Sequence, residues 1–145
     1  MILKLKITEI IDLYNALSSL DGYSKFIKRG EDESVVTIPY VFTGKMRWNI
    51  AKNLGVLKPH IKDYTKVRDS LIKQYCLPEE TIIDAKTNPV GWKAFNQEND
   101  KLGHEQIEVN GLLALDINEM LKDENPVPAS ILNALEILLQ ENEVV

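Results

Sequence analysis

Apolar and polar positions alternate at the start of the chain and then recur at helical spacing. Residues 2–7, ILKLKI, put apolar side chains on one side of an extended segment and lysines on the other, which predicts a half-buried strand. Thr8 is a suitable N-cap for a following amphipathic helix, which Asp21-Gly22 would end. The predicted apolar face of that helix comprises Ile10, Leu13, Tyr14, Leu17 and Leu20.

Two runs rich in β-forming residues then occupy residues 23–40. They flank the polar sequence 29–32, Arg-Gly-Glu-Asp, and this arrangement predicts a β-hairpin. Pro39 has no N–H for a strand ladder, so we expect it to end the second strand or to lie at a sheet edge.

Residues 43–75 carry the longest helical pattern in the chain. Thr43 is the predicted N-cap, and the apolar seam recurs in steps of three and four. Pro59 predicts a kink or a break, and the preceding Gly55 favours a break into two helices. The seam keeps its phase across this point, so both halves would face one core. Its members are Ile50, Leu54, Leu57, Ile61, Tyr64, Leu71 and Tyr75.

The segment after this helix is first loop-like and then helical. Residues 77–91 contain prolines and a glycine that punctuate a loop. Residues 92–102 predict a short helix that carries Trp92 and Phe95, and Gly103 would stop it. The run 105–111, EQIEVNG, alternates apolar and polar residues and predicts a strand.

Two more helices are predicted near the end of the chain. Asp116 and Glu119 have the spacing of a capping box that opens a short helix. Pro126 and Pro128 precede a last predicted helix over residues 129–141. Its apolar side comprises Ile131, Leu132, Leu135, Leu138 and Leu139.

These elements predict an α+β fold. We expect a helix-dominated single domain over residues 1–145, with a long, kinked or broken amphipathic helix and a small antiparallel sheet. Its parts are a strand-helix-hairpin region (1–42), a basic amphipathic helix (43–76) and an acidic region of helices and strand (77–145). The pattern leaves the order of the strands open.

Charge is distributed very unevenly along this chain. The net charge is −5 and the pI is about 5.1. Residues 43–75 nevertheless hold eight basic and two acidic side chains, whereas residues 76–145 hold four basic and fourteen acidic ones. The sequence thus predicts a basic helix inside an acidic protein.

Three interpretations of the basic helix follow. Its outer lysines, Lys45, Lys52, Lys66 and Lys73, could be a solvated face, since exposed ion pairs contribute only ~0–1 kcal/mol each. The helix could instead dock against the acidic C-terminal third, within one chain or between subunits. The third interpretation is that the helix binds an external anion or nucleic acid, which is disfavoured because nucleic-acid-binding domains are usually basic overall.

Arg47 and Arg68 fall on the apolar seam of the same helix. A buried arginine needs a partner, because an unpaired buried charge is very unfavourable. We expect structural pairing with acids such as Glu105, Glu108 or Asp116, or extension of the guanidinium to the rim. The functional alternative is a phosphate or carboxylate ligand held by the guanidinium fork.

Residues able to do chemistry are few and scattered. His60, His104 and Cys76 lack the spacing of a metal site, so we expect no metal and no cofactor. The sequence 43–45, Thr-Gly-Lys, precedes a helix but lacks the glycine-rich loop of a phosphate-binding site. With no recognisable nucleophile, base and oxyanion site, we predict that the protein is not an enzyme.

The same sequence favours a soluble, intracellular protein with no membrane partner. A single cysteine suits a reducing compartment. The start of the chain lacks a continuous apolar run and a small-residue cleavage site, so we expect no secretory signal. No segment approaches the ~18 apolar residues that a membrane span requires.

The chain resembles small proteins of tailed bacteriophages and prophages, mostly of unknown function. The segments that carry the resemblance are an ALxxLDG-like sequence (16–22), a GKxRxxIAKNLxxLxP-like sequence (44–59), KVRDSLIKQY (66–75), an aromatic and acidic helix (92–98), an EIEV-like strand (105–109) and a C-terminal leucine helix. The resemblance implies a viral or proviral origin and supplies no catalytic residues.

Two functional hypotheses follow. The first is a non-enzymatic phage protein that acts by self-association and protein binding, as a virion accessory or as an inhibitor of a host system. It would be a homo-oligomer in the host cytoplasm, or would be associated with the virion, and would bind a phage or host protein. The alternative is an oligomeric counter-defence sponge that sequesters an anionic signalling nucleotide. Its candidate ligand-binding residues are Arg47, Arg68, Lys45, Trp48 and Trp92.

Overall fold

The computed structural model describes residues 1–140, in which helices predominate over strands. The helices are α1 (Ile7–Ser18), α2 (Gly44–Tyr75), α3 (Pro89–Gly103), α4 (Ile117–Met120) and α5 (Ala129–Leu135). The strands are β1 (Ile2–Lys6), β2 (Tyr23–Arg29), β3 (Asp32–Ile38), β4 (Gln106–Asn110), β5 (Leu115–Asp116) and β6 (Leu139–Gln140). The predicted α+β, helix-dominated fold class is confirmed.

The strands form three separate pairs. β1 is antiparallel to β4, with Leu3 opposite Val109, and β2 is antiparallel to β3. β5 and β6 are parallel, with Leu115 opposite Leu139. The small antiparallel sheet was therefore predicted correctly, whereas the parallel pair was not predicted.

The core lies where α1, the first half of α2, β4 and α5 meet. The apolar face predicted for α1 is buried against them. α1 ends at Ser18, and a 3-10 turn that was not predicted continues from Ser19 to Asp21, where the helix was expected to end. Fully buried side chains of the core include Ile10, Leu13, Leu17, Leu57, Val109, Leu112, Leu115, Leu135 and Leu138.

α1 begins one residue before the predicted cap. Its N-cap is Lys6, whose backbone N–H donates to Glu9 Oε1 at 3.0 Å. Thr8 lies in the first turn instead, where its hydroxyl donates to the Gly103 carbonyl oxygen at 3.2 Å. Thr8 thereby connects α1 to the end of α3.

The predicted β-hairpin is formed by β2 and β3, and β3 ends immediately before Pro39. Aromatic contacts connect the hairpin to the core. The ring centroids of Tyr23 and Tyr40 are 5.3 Å apart, and those of Tyr40 and Phe42 are 5.5 Å apart. Most other side chains of the hairpin are exposed.

α2 is one continuous helix of 32 residues, so the predicted break is wrong. Proline removes one backbone donor, and the bond that is lost would end at the carbonyl of Gly55, four residues earlier. Both Gly55 and Pro59 are exposed, so water can hydrate the unpaired carbonyl. The unbroken apolar seam then holds both halves on the same side.

The second half of α2 packs against α3. Its seam residues, such as Tyr64 and Leu71, are half-buried, and no residue from 58 to 87 is fully buried. Tyr64 Oη donates to Asn99 Oδ1 at 3.2 Å. Asn88 caps α3, which begins at Pro89 rather than at the predicted position 92, and its Nδ2 donates to the Tyr75 carbonyl oxygen at 2.8 Å.

The prediction of a helix over 129–141 is wrong beyond Leu135. The chain continues through a 3-10 turn (Glu136–Leu138) into β6, which pairs with β5. Buried Leu138 keeps its apolar contacts in this conformation, so the leucine spacing did not distinguish a helix from a turn and a short strand. Residue 141 lies outside the described residues.

Candidate interaction surfaces

A buried carboxylate fixes the start of α2. Thr43 is the N-cap, as predicted, and its Oγ1 accepts from the Met46 N–H at 3.2 Å. The Thr43 backbone N–H and Oγ1 donate to Glu119 Oε2 at 2.9 and 2.6 Å. Lys122 Nζ donates to Glu119 Oε1 at 2.6 Å. The helix N-terminus thus already holds an anion from its own chain.

The predicted capping box at α4 forms only in part. Asp116 is the N-cap, and its Oδ1 accepts from the Asn118 N–H at 2.9 Å. The Glu119 carboxylate lies against Thr43 and Lys122 instead. Burial raises the pKa of Glu119, but the hydrogen bonds from Lys122 and Thr43 outweigh burial and lower that pKa overall.

Two buried asparagines that the sequence analysis did not single out hold α2 and the preceding loop in position. Asn53 Nδ2 donates to the Leu113 carbonyl at 2.9 Å, and its Oδ1 accepts from the Leu113 N–H at 2.7 Å. Asn125 makes the same pair of bonds with the backbone of Val41. Asn53 lies beside the seam, between Ile50 and Leu54, and is fully buried, so its amide needs these hydrogen bonds.

Within residues 1–140, neither seam arginine forms an ion pair with Glu105 or Glu108, two of the acids that were expected to pair with them. Both arginines are exposed, because their guanidinium groups extend to the rim. Arg47 Nη2 donates to the Tyr40 carbonyl oxygen at 2.7 Å. Arg68 Nη2 lies 3.6 Å from Asp69 Oδ1, the carboxylate of the adjacent residue.

The other candidate ligand-binding residues lie in separate environments. Lys45 borders a depression that also contains the acidic residues Asp116 and Glu119. Trp48 is 61% exposed, and Lys52 Nζ lies 4.7 Å from its ring centroid. Trp92 is 43% exposed and lies near the start of α3.

The five residues of the predicted nucleotide site therefore do not surround one cavity. Arg47 borders a small cavity with Phe42, whereas Lys45 and Trp48 border two different depressions. Arg68 lies twenty residues beyond Trp48 on α2, which corresponds to about 30 Å along the helix axis. Within one chain these side chains cannot all contact one nucleotide.

α2 presents a predominantly basic surface to solvent. We call five of its exposed lysines the cationic face: Lys52, Lys58, Lys62, Lys66 and Lys73. Two exposed carboxylates, Asp63 and Asp69, lie among them. α2 is about 48 Å long, so this face extends over much of the molecule.

Three ion pairs form among the described side chains, and none of them joins α2 to the acidic third of the chain. They are Arg68–Asp69, Lys101–Glu98 and Lys122–Glu119. Within residues 1–140, therefore, no ion pair holds the basic helix against the acidic third of the chain. The same part of the chain contains no group of three His, Cys, Asp or Glu side chains that could hold a metal ion.

Residues 1–140 contain no helix that is both long enough and apolar enough to cross a membrane. Comparison of the chain with protein-family models, curated proteins and solved structures found no match. The resemblance to phage proteins therefore stays a prediction.

Proposed function

We propose that this is a non-enzymatic binding protein that associates with itself, and that the cationic face of α2 contacts carboxylates of another copy. One observation carries the proposal: the lysines of the cationic face make no ion pair with the acidic third of their own chain in residues 1–140. Exposed carboxylates in that third include Glu79, Glu80, Asp84, Glu105, Glu108, Asp123 and Glu124. Opposite charges are thus available on different parts of one surface.

Electrostatics would direct this association more than it would strengthen it. An exposed lysine–carboxylate pair contributes ~0–1 kcal/mol, so several pairs are required for an appreciable effect. Complementary charge also accelerates encounter and fixes the relative orientation of the partners. A row of lysines along α2 meets both requirements, because it is long and mostly of one sign.

Trp48 supplies an apolar contact beside the cationic face. Its ring is largely exposed, and Ala51 and Gly55 lie next to it on the same side of the helix. An added Cβ at Gly55 would meet no heavy atom within 4 Å, so the surface there is open. Tryptophan is among the residues that contribute most to binding energy in protein interfaces. We propose that Trp48 anchors the partner.

The resemblance to phage proteins suggests a biological setting for this binding. In that setting the protein would act as a virion accessory or as an inhibitor of a host system, with a phage or host protein as a further partner. A nucleotide sponge would need its basic and aromatic side chains to converge. Their separation along α2 and α3 favours protein binding instead.

The test is sedimentation of the full chain at low and high salt. The double variant Lys62→Glu/Lys66→Glu reverses two lysines of the cationic face, and we expect it to weaken self-association at low salt. High salt should weaken association of the unchanged chain, because it screens exposed charges.

The matched control is Lys86→Glu/Lys93→Glu, which makes the same change in net charge at exposed positions outside α2. We expect the control to associate like the unchanged chain. Equal association of both double variants, or association that salt does not affect, would contradict the proposed role of the cationic face.

A further inference from the structure

The β2–β3 hairpin has one face that is exposed along its whole length. Cross-strand partners point to the same side of a hairpin, so the pairs Ser24–Thr37, Phe26–Val35 and Lys28–Glu33 share one face. We call these six residues the hairpin outer face, and all six are exposed. Phe26 is 60% exposed and Val35 is 64% exposed.

The opposite face of the hairpin is different. Its apolar residues Tyr23, Ile27, Val36 and Ile38 are half-buried, and the Tyr23 ring contacts buried Tyr40 at an interplanar angle of 44°. The two faces therefore have separate roles. One face attaches the hairpin to the body, and the other presents an aromatic–aliphatic pair to solvent.

An isolated two-stranded hairpin is only marginally stable in water. A second β layer would stabilise this one by covering Phe26 and Val35, the only large apolar side chains of the hairpin outer face. Packed β layers lie about 10 Å apart with their strands nearly aligned.

The hairpin outer face is complementary to itself. We propose, on the basis of the self-association proposed above, that two copies pack these faces together about a two-fold axis parallel to the strands. Such an axis places each β2 over β3 of the other copy at the same height. Phe26 then lies over Val35, Lys28 over Glu33 and Ser24 over Thr37, so each residue meets the type that it already faces across its own hairpin.

Pairing at the strand edges is less favourable than this face-to-face packing. β2 carries Lys25, Lys28 and Arg29 and no acid, so two β2 edges would repel each other. β3 carries Asp32 and Glu33 and no base, so two β3 edges would also repel. An edge pairing of β2 with β3 would match charge, but it would leave the Phe26–Val35 pair exposed.

The expected interface is small. Seven-residue strands are about 23 Å long, and two of them are about 10 Å wide. A contact of this size lies below the ~1,200 Å² of a stable standard interface, so we expect a weak dimer at high protein concentration.

The decisive experiment mixes two charge variants of the full chain. Lys28→Glu and Glu33→Lys should each weaken dimerisation on the order of ten-fold, because each homodimer places like charges opposite one another. In a mixture of the two variants every contact between copies regains opposite charges. We expect sedimentation equilibrium, at concentrations up to about 1 mM, to show a heterodimer near the affinity of the unchanged chain.

This mixture separates the interface from folding of the hairpin. Each variant keeps like charges across its own 28–33 pair, so mixing cannot repair the hairpin of a single copy. Both variants remain net negative, so attraction between whole molecules cannot produce the rescue. Lys25→Glu, on the other face of the same strand, is the control and should dimerise normally.

The possible outcomes distinguish this inference from the proposed function. An unchanged chain that stays monomeric up to about 1 mM overturns the hairpin dimer, as does a mixture that does not recover. If the hairpin variants dimerise normally while Lys62→Glu/Lys66→Glu loses self-association, the role of the cationic face is supported and the hairpin dimer is refuted. If only the hairpin variants lose dimerisation and mixing them restores it, the hairpin dimer is supported and the proposed role of α2 is refuted.

Discussion

The Glu119 carboxylate joins the start of α2 to the segment that contains α4. Four hydrogen bonds meet around it: those from Thr43 N–H, Thr43 Oγ1 and Lys122 to the carboxylate, and the bond from Met46 N–H to Thr43. Glu119 is buried, and a buried carboxylate that loses such donors leaves polar groups without partners. The cap of the longest helix therefore depends on a residue 76 positions later.

We predict that Glu119→Gln lowers the free energy of unfolding by ~1–3 kcal/mol at neutral pH. The pKa of Glu119 in the folded chain is below its ordinary value of 4.5, so the ionised carboxylate stabilises the fold above about pH 4.5. This stabilisation is lost as pH falls through the lowered folded value. Urea unfolding of the unchanged chain and the variant should therefore give a difference at pH 7 that shrinks as the solution becomes more acidic.

Glu124→Gln serves as the control for this prediction. Glu124 is an exposed acid in the same segment, so its substitution should change the free energy of unfolding by no more than ~0.5 kcal/mol. A Glu119→Gln variant with unchanged stability, or with a deficit that stays constant down to pH 2, would contradict the role given to this carboxylate.

Residue roles were predictable where both partners are close in sequence. Thr43 was predicted as a cap because its acceptor role concerns Met46, three residues later. The contacts of Asn53 with Leu113 and of Asn125 with Val41 join positions 60 and 84 residues apart. Their partners are backbone groups, which carry no residue-specific signal, so no side-chain pattern could identify them.

At the scale of elements, α2 shows how a continuous seam overrides a local helix breaker. Pro59 removes one hydrogen bond, and Gly55 weakens the helix further, yet neither residue points into the core. Leu57 lies between them and is fully buried. Burial of such a side chain contributes ~1.5–3 kcal/mol, which is comparable to the ~3 kcal/mol that an interior proline costs.

We predict that Gly55→Ala stabilises the protein by ~0.5–1 kcal/mol, because alanine restricts the unfolded chain and favours the helix. The added methyl group would meet no atom within 4 Å. Gly111→Ala is the contrasting variant, because Gly111 has a φ of 98°, where an L side chain is strained. It should lose ~1–2 kcal/mol. Thermal and urea unfolding would test both, and a change in the same direction for both would refute the explanation.

Element prediction succeeded where apolar periodicity is sustained and failed where tertiary pairing decides. The helices α1 and α2 and the β2–β3 hairpin follow from local spacing and turn residues. The end of α5 does not, because its leucines satisfy both a helix and a turn. Its backbone leaves the helix to pair with β5, whose residue Leu115 lies 24 positions before Leu139. A two-residue strand carries no periodic signal from which this pairing could be predicted.

The whole molecule divides into a well-packed body and a more exposed helical pair. α1, the first half of α2, β4 and the segment from Leu112 to Leu138 supply most of the fully buried apolar side chains. α3 and the second half of α2 supply none. The proposed binding surfaces, the cationic face and the hairpin outer face, lie mostly outside the body. Binding on such elements can change their stability without unfolding the core.

Native-state hydrogen exchange would test this division. We predict that amides of α1 and of α2 before Leu57 exchange only through global unfolding, because their side chains form the core. Amides of α2 after residue 58 and of α3 should exchange through a partial opening of lower free energy, because their seam is only half-buried. Raising the protein concentration should slow exchange in that second half of α2 if another copy covers the cationic face, while α1 should be unaffected. Uniform exchange along the whole of α2 would show that the two halves open together, and the body could not then be separated from the helical pair.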